Sequence, residues 1–146
     1  MAITQAICNS FKKELLEGEH NFKSSGGDVF KLALYTNAAT LNSATTAYTT
    51  SDEVPDSGQY VAGGGTLVNS GTSVVGGVAF CDFADLSFTG VTLTARGALI
   101  YNTSATVANA AVAVLDFTTD KSASDGTFTI IFPADTSAAA ILRISG

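Results

Sequence analysis

The pattern of apolar positions changes character once, near residue 25. Upstream, Ile3, Ile7, Phe11 and Leu15 recur every four residues, which places them on one face of a helix over 3–17. Gly18 follows the last of them and suits the left-handed residue that ends many helices. Downstream, "VFKLALYT" (29–36) alternates, with Phe30, Leu32 and Leu34 on one side and Lys31, Ala33 and Tyr35 on the other. The stretches 65–71, 73–83, 90–102, 110–117, 126–133 and 139–145 read as further strands, rich in β-branched residues and threonine and separated by turn signals. About seven or eight strands in this arrangement are the pattern of a sandwich or jelly-roll. The chain is therefore expected to be mainly β, a single β-sandwich or jelly-roll-like domain with one N-terminal α-helix. Residues 1–25 are expected to form a helical arm and 26–146 the β-sandwich, the two making one structural domain.

Between the first strand and the rest lies "NAATLNSATTAYTTSDEVPDSG" (37–58), long and polar. A short strand around Tyr48 and a turn at Pro55 and Gly58 are expected there. Loops of this length in a compact domain usually carry contacts or function.

Composition narrows the function classes. The chain has 146 residues, 46% of them hydrophobic and 14% charged, which is enough for one real core and too apolar for disorder. No apolar run approaches the roughly 18 residues of a membrane span. The N-terminal stretch lacks a basic start followed by an apolar segment, so a chain made and kept in a cytoplasm is expected unless it leaves inside a larger particle. The net charge is −6 and the seven Lys and Arg are scattered, which disfavours nucleic acid as a partner. Cys8 and Cys81 read as two buried thiols rather than a disulfide. Asn102-Thr103-Ser104 matches a glycosylation sequon but carries little weight without a secretory signal.

Gly63, Gly64 and Gly65 lack the following lysine and helix of a phosphate-binding loop, and read as a turn or bulge at positive φ. His20 is the sole histidine, so any catalytic triad would need it; a surface or junction position just beyond the helix is preferred. Asp82 and Asp85 could pair as acid and base, but a bend in which they cap backbone amides is favoured. Asp120, Ser122 and Ser124 are spaced like the start of a calcium loop, yet the sixth position is Asp125 and the twelfth Ile131, so a hairpin loop is expected. Arg96, inside an otherwise uncharged strand, needs an acidic partner; Asp82, Asp85 and Asp116 are the candidates within the chain, and a neighbouring subunit is the alternative. No catalytic residue, cofactor-binding residue or metal ligand is assigned, and the chain is not expected to be an enzyme.

Several stretches together resemble small virion structural proteins of tailed bacteriophages: "ICNSFKKELL", "VFKLALYT", "ATTAYTTSDEV", "GQYVAGGGTL", "TARGALIYN", "AVAVLDF" and "GTFTIIFP", which in order cover most of the chain. The resemblance implies a protein without substrate or cofactor, present in many copies on a symmetric lattice. Its expected partners are the major capsid protein and copies of itself, with no nucleic acid and no membrane. The expected location is the capsid surface, after assembly in the host cytoplasm. The leading expectation is a capsid decoration, or cement, protein. A tail, baseplate or fibre-attachment component is the second reading. A carbohydrate-binding β-sandwich is the third, with Tyr35, Tyr48, Tyr60 and Tyr101 as stacking platforms in a chain without Trp. The expected contact regions are the N-terminal arm (Ile3, Ile7, Phe11) and the loop 37–58.

Overall fold

Nine elements follow one another in a computed structural model that describes residues 2–146: β1 (Ala6–Ile7), α1 (Asn9–Leu16), β2 (Phe30–Tyr35), β3 (Gly65–Thr66), β4 (Asn69–Val75), β5 (Val78–Phe83), β6 (Leu86–Asn102), β7 (Ala110–Ile130) and β8 (Leu142–Ile144). Two antiparallel sheets result, a five-stranded one in the order β1-β7-β6-β2-β3 and a three-stranded one in the order β4-β5-β8. The chain is a single β-sandwich-like domain with one short helix near its N-terminus. No helix among the described residues is long and apolar enough to cross a membrane.

β2 and the second half of β6 explain themselves. Phe30, Leu32, Ala33, Leu34 and Tyr35 are all buried, and so are Ala98 to Asn102 opposite them. A strand covered on both faces loses its polar alternation and becomes a continuous apolar run. Phe22, Phe30, Phe83 and Phe132 connect the layers: Phe22 stacks on Phe30 with centroids 4.4 Å apart, and Phe83 packs against Phe22, Phe30 and Phe132. Tyr35, Leu41, Val54 and Tyr60 extend the same cluster under the long loop.

Three expectations change. The helix starts at Asn9, not Ile3. Residues 3–7 are extended instead: Ile3 bridges Leu41, and Ala6 and Ile7 pair with Val114 and Ala113 of β7. The edge of β7 needs partners for its amides, and a strand satisfies them where a longer helix would not. The N-terminal segment is also no free arm, since Ile3, Cys8, Phe11 and Phe22 belong to the same buried cluster as the sheets. Division at residue 25 thus cuts through one core.

The second change is at 73–83, where a hairpin replaces one strand. Gly76 and Gly77, with φ of +59° and +80°, make the two-residue turn between β4 and β5. The third is at 117–126, where no hairpin loop exists. β7 runs on, paired with β6, so that Leu93, Thr94 and Ala95 face Ala123, Ser122 and Lys121. Register shifts absorb the extra residues, the largest where the partners of Ala95 and Gly97 are Lys121 and Asp116. Thr118 (φ +67°) and Asp125 (φ +47°) mark irregular points of this ribbon.

Candidate interaction surface

The loop between β2 and β3 is fixed by one carboxylate and four phenols. Glu53 Oε1 accepts the Tyr48 hydroxyl at 2.6 Å, and Oε2 accepts the Tyr60 hydroxyl and the Gly63 amide, both at 2.7 Å. The Tyr101 hydroxyl donates to the Gly63 carbonyl at 2.6 Å, and Tyr35 donates to the Thr49 carbonyl at 2.6 Å. Tyr48 stacks on Tyr101 with centroids 4.7 Å apart. Charge-assisted bonds of this length are the stronger kind. Burial and the nearby Glu53 raise all four phenols above the ordinary 10.0, Tyr101 to about 12. Tyr35, Tyr60 and Tyr101 are buried, and only Tyr48 is half-buried. The tyrosines therefore form an internal lock, not the exposed platform a sugar would stack on.

The triple glycine belongs to this lock. Gly63 and Gly64 have φ of +98° and +81°. A Cβ at Gly64 would lie 1.7 Å from the Leu32 carbonyl oxygen. Backbone proximity to β2 explains Gly64, while positive φ alone favours glycine at Gly63. Sequence reasoning anticipated the turn but not its partners, because Glu53, Tyr48 and Tyr101 are remote in the chain.

His20 is buried at the junction of α1 and β6, which fits the junction reading and not a surface position. Its ring packs on Phe11 with centroids 4.8 Å apart. Asn102 Nδ2 donates to His20 Nδ1 at 2.9 Å and to Asp28 Oδ2 at 2.8 Å, while Asn102 Oδ1 accepts the Ser104 amide. An amide nitrogen only donates, so Nδ1 is the acceptor and Nε2–H donates to Glu14 Oε1 at 3.0 Å. This network joins α1 to the end of β6, and no serine or cysteine nucleophile takes part in it. Asn102 is fully enclosed, which removes the sequon as a modification site in the folded chain.

The other candidates separate. Arg96 Nε donates to Asp116 Oδ1 at 3.3 Å across the β6–β7 pair, one of the three partners considered. Asp82 and Asp85 bond different backbone amides, those of Phe83 at 2.8 Å and Phe132 at 2.9 Å, as expected for caps at a bend. Asp82 is only 2% exposed and its Oδ2 makes no hydrogen bond of standard geometry. Burial chiefly, with help from Asp135 and Asp85, raises its pKa, and the Phe83 and Ile141 amides offset part of that. Asp120 accepts from Asn37, and Ser122 shares a hydrogen bond with Thr94 across the β6–β7 pair. No group of three potential metal-ligating acids, His or Cys exists among the described residues. Cys8 and Cys81 are free and buried, and desolvation pushes them up to about 11 and 12, so both stay thiols at neutral pH.

What remains open is surface. A groove of about 1030 Å³ lies between α1 and the three-stranded sheet, with Phe11, Leu15, Phe80 and Leu142 in its walls. A smaller depression of about 380 Å³ follows β7 past Phe117 and Phe128, and Ile141 lines both. Among the described residues, the outer edge of β7 has backbone partners only from Ala110 to Val114, where Ala47 bridges Ala110, Thr46 and Cys8 bond Ala111 and Val112, and β1 pairs with Ala113 and Val114. β8 pairs only with β5. The groove and the positions of the open edges are not legible in the sequence, because both arise from elements distant in the chain. The chain matches no protein-family model, no curated protein and no solved structure.

Proposed function

We propose that the chain is a structural protein of a bacteriophage virion, a capsid decoration protein that binds and stabilises the major capsid protein shell. The observation that carries this reading is a pair of adjoining hollows, the groove and the depression along β7, which share Ile141 in their walls just before the edge strand β8. Strand edges offer rows of backbone donors and acceptors to another chain, and the groove offers apolar area. Repeated at many lattice positions, modest contacts of this kind add to a large stabilisation. The resemblance in the amino-acid sequence supplies the particle. Of the N-terminal residues expected to make contacts, Ile7 and Phe11 stand in the walls of this groove, whereas Ile3 is buried away from it.

A tail, baseplate or fibre-attachment position is the second reading, since open edges serve a tube or a plate equally well. Localisation by electron microscopy of antibody-labelled virions separates the two. Density on the icosahedral shell is expected. Label confined to the tail overturns the decoration reading, and absence from purified virions overturns both.

A further inference from the structure

The groove has a charge opposite to that of the chain. The chain holds 13 Asp and Glu against 7 Lys and Arg. Yet Lys12, Lys23 and Arg143 line the groove and no carboxylate side chain does. All three are exposed, and none is in an ion pair among the described residues, where the pairs are Lys13–Glu17, His20–Glu14 and Arg96–Asp116. Lys12 reaches only Asn9 Oδ1 at 3.4 Å, and Arg143 donates to the Ala138 carbonyl.

Between these cations the lining is mostly apolar, with Asn21, Thr72, Ser137 and Ser145 as neutral polar members, and it reaches solvent at Leu16, 91% exposed, and Ile144, 59% exposed. A lining of this kind calls for apolar side chains flanked by carboxylates. The volume, about 1030 Å³, is at the upper end of small-molecule pockets and the groove is open to solvent, which suits a chain segment. A concave floor does not admit the flat surface of a bilayer. A second copy docked symmetrically, groove to groove, would set three cations against three, which complementarity forbids.

We infer that this groove binds a peptide segment of a partner protein in which apolar side chains are interleaved with Asp or Glu. The inference rests on the reading of this face as a protein contact, but its test needs no virion. The probes are a fluorescein-labelled dodecapeptide of alternating leucine and glutamate, its leucine–lysine counterpart, and vesicles of 3:1 phosphatidylcholine and phosphatidylserine. The glutamate peptide is expected to bind saturably at low salt, with amide shifts concentrated at 78–81 and 142–145. The triple variant Lys12→Glu, Lys23→Glu, Arg143→Glu is expected to bind it about tenfold more weakly and to prefer the lysine peptide. An unchanged thermal melt of that variant shows that folding is not the cause. Equal binding of both peptides to the native chain overturns the inference. So does unchanged affinity of the triple variant, binding to vesicles without binding to peptide, or self-association that the triple variant abolishes. Localisation on the virion can fail while peptide binding holds, and the reverse, so the two readings are separable.

Discussion

Glu53 holds more of the long loop than any other side chain, because both of its oxygens are engaged at 2.6–2.7 Å. Replacing it with Gln turns one acceptor into a donor that faces a hydroxyl or an amide. Loss of one or two charge-assisted bonds should cost about 2–4 kcal/mol, read from urea unfolding. Tyr48→Phe removes one of the same bonds but keeps the ring on Tyr101, and should cost less. The phenols also set an alkaline limit. Their pKa values are raised in the folded chain, so the folded state holds protons that the unfolded chain releases. Their contribution is fully present below the unfolded value of 10.0 and is lost as pH rises through the folded values, for Tyr101 between 10.0 and about 12. Cys8 and Cys81 act in the same direction from 9.0 upward. Thermal melts should therefore hold steady up to about pH 9 and fall steeply above it. Tyrosine ionisation, followed by absorbance, should coincide with unfolding. Phenols that titrate near 10 in a chain that stays folded would contradict the lock.

At the scale of elements, glycines distinguish two kinds of turn. Gly64 combines positive φ with a carbonyl where its Cβ would sit, whereas Gly76 has positive φ in open space. Gly76→Ala should cost about 1 kcal/mol, the usual strain of a left-handed alanine. Gly64→Ala should cost about 3 kcal/mol or more, since β2 must also move. Equal costs in paired thermal melts would refute the close approach to Leu32. These elements also show what could be read in the sequence. β2 and the apolar half of β6 carry their burial in their residues, and Gly18 ends α1 as expected, with φ +76°. β7 from Thr118 to Thr127 could not be read, because most of its side chains are exposed and no alternation survives. Its strand state comes from pairing with β6, not from its own pattern. Ile3 and Ile7 fit a helical stripe equally well, and only the edge of β7 decided for strand. Arg96–Asp116 was legible because an isolated charge in a strand demands a partner. The groove was not, because Phe11, Phe80 and Leu142 share no local pattern.

For the whole molecule, the N-terminal segment decides whether there is one folding unit or a body with a detachable clamp. Ile3, Cys8 and Phe11 are each less than a tenth exposed, and Ile7 and Leu15 are packed against the same core. Each large apolar side chain buried is worth about 1.5–3 kcal/mol. Pairing with β7 adds backbone bonds, including Cys8 N–H to the Val112 carbonyl at 3.0 Å, and Leu41 exchanges bonds with Ala2 and Thr4. Their sum is comparable to the entire stability of a typical domain, about 5–15 kcal/mol. His20 would also lose Glu14 and be left with an unpaired nitrogen in the interior. A chain comprising residues 18–146 should therefore lack a cooperative thermal transition and bind a hydrophobic dye. By contrast, Leu16→Ser, at a fully solvated position, should alter stability by no more than about 0.5 kcal/mol. If the truncated chain melts cooperatively near the native temperature, the segment is a removable arm and the single-core description fails. If it does not, truncation cannot test the proposed shell contact because it unfolds the chain, and contact surfaces must be mapped with surface substitutions such as those at Lys12, Lys23 and Arg143.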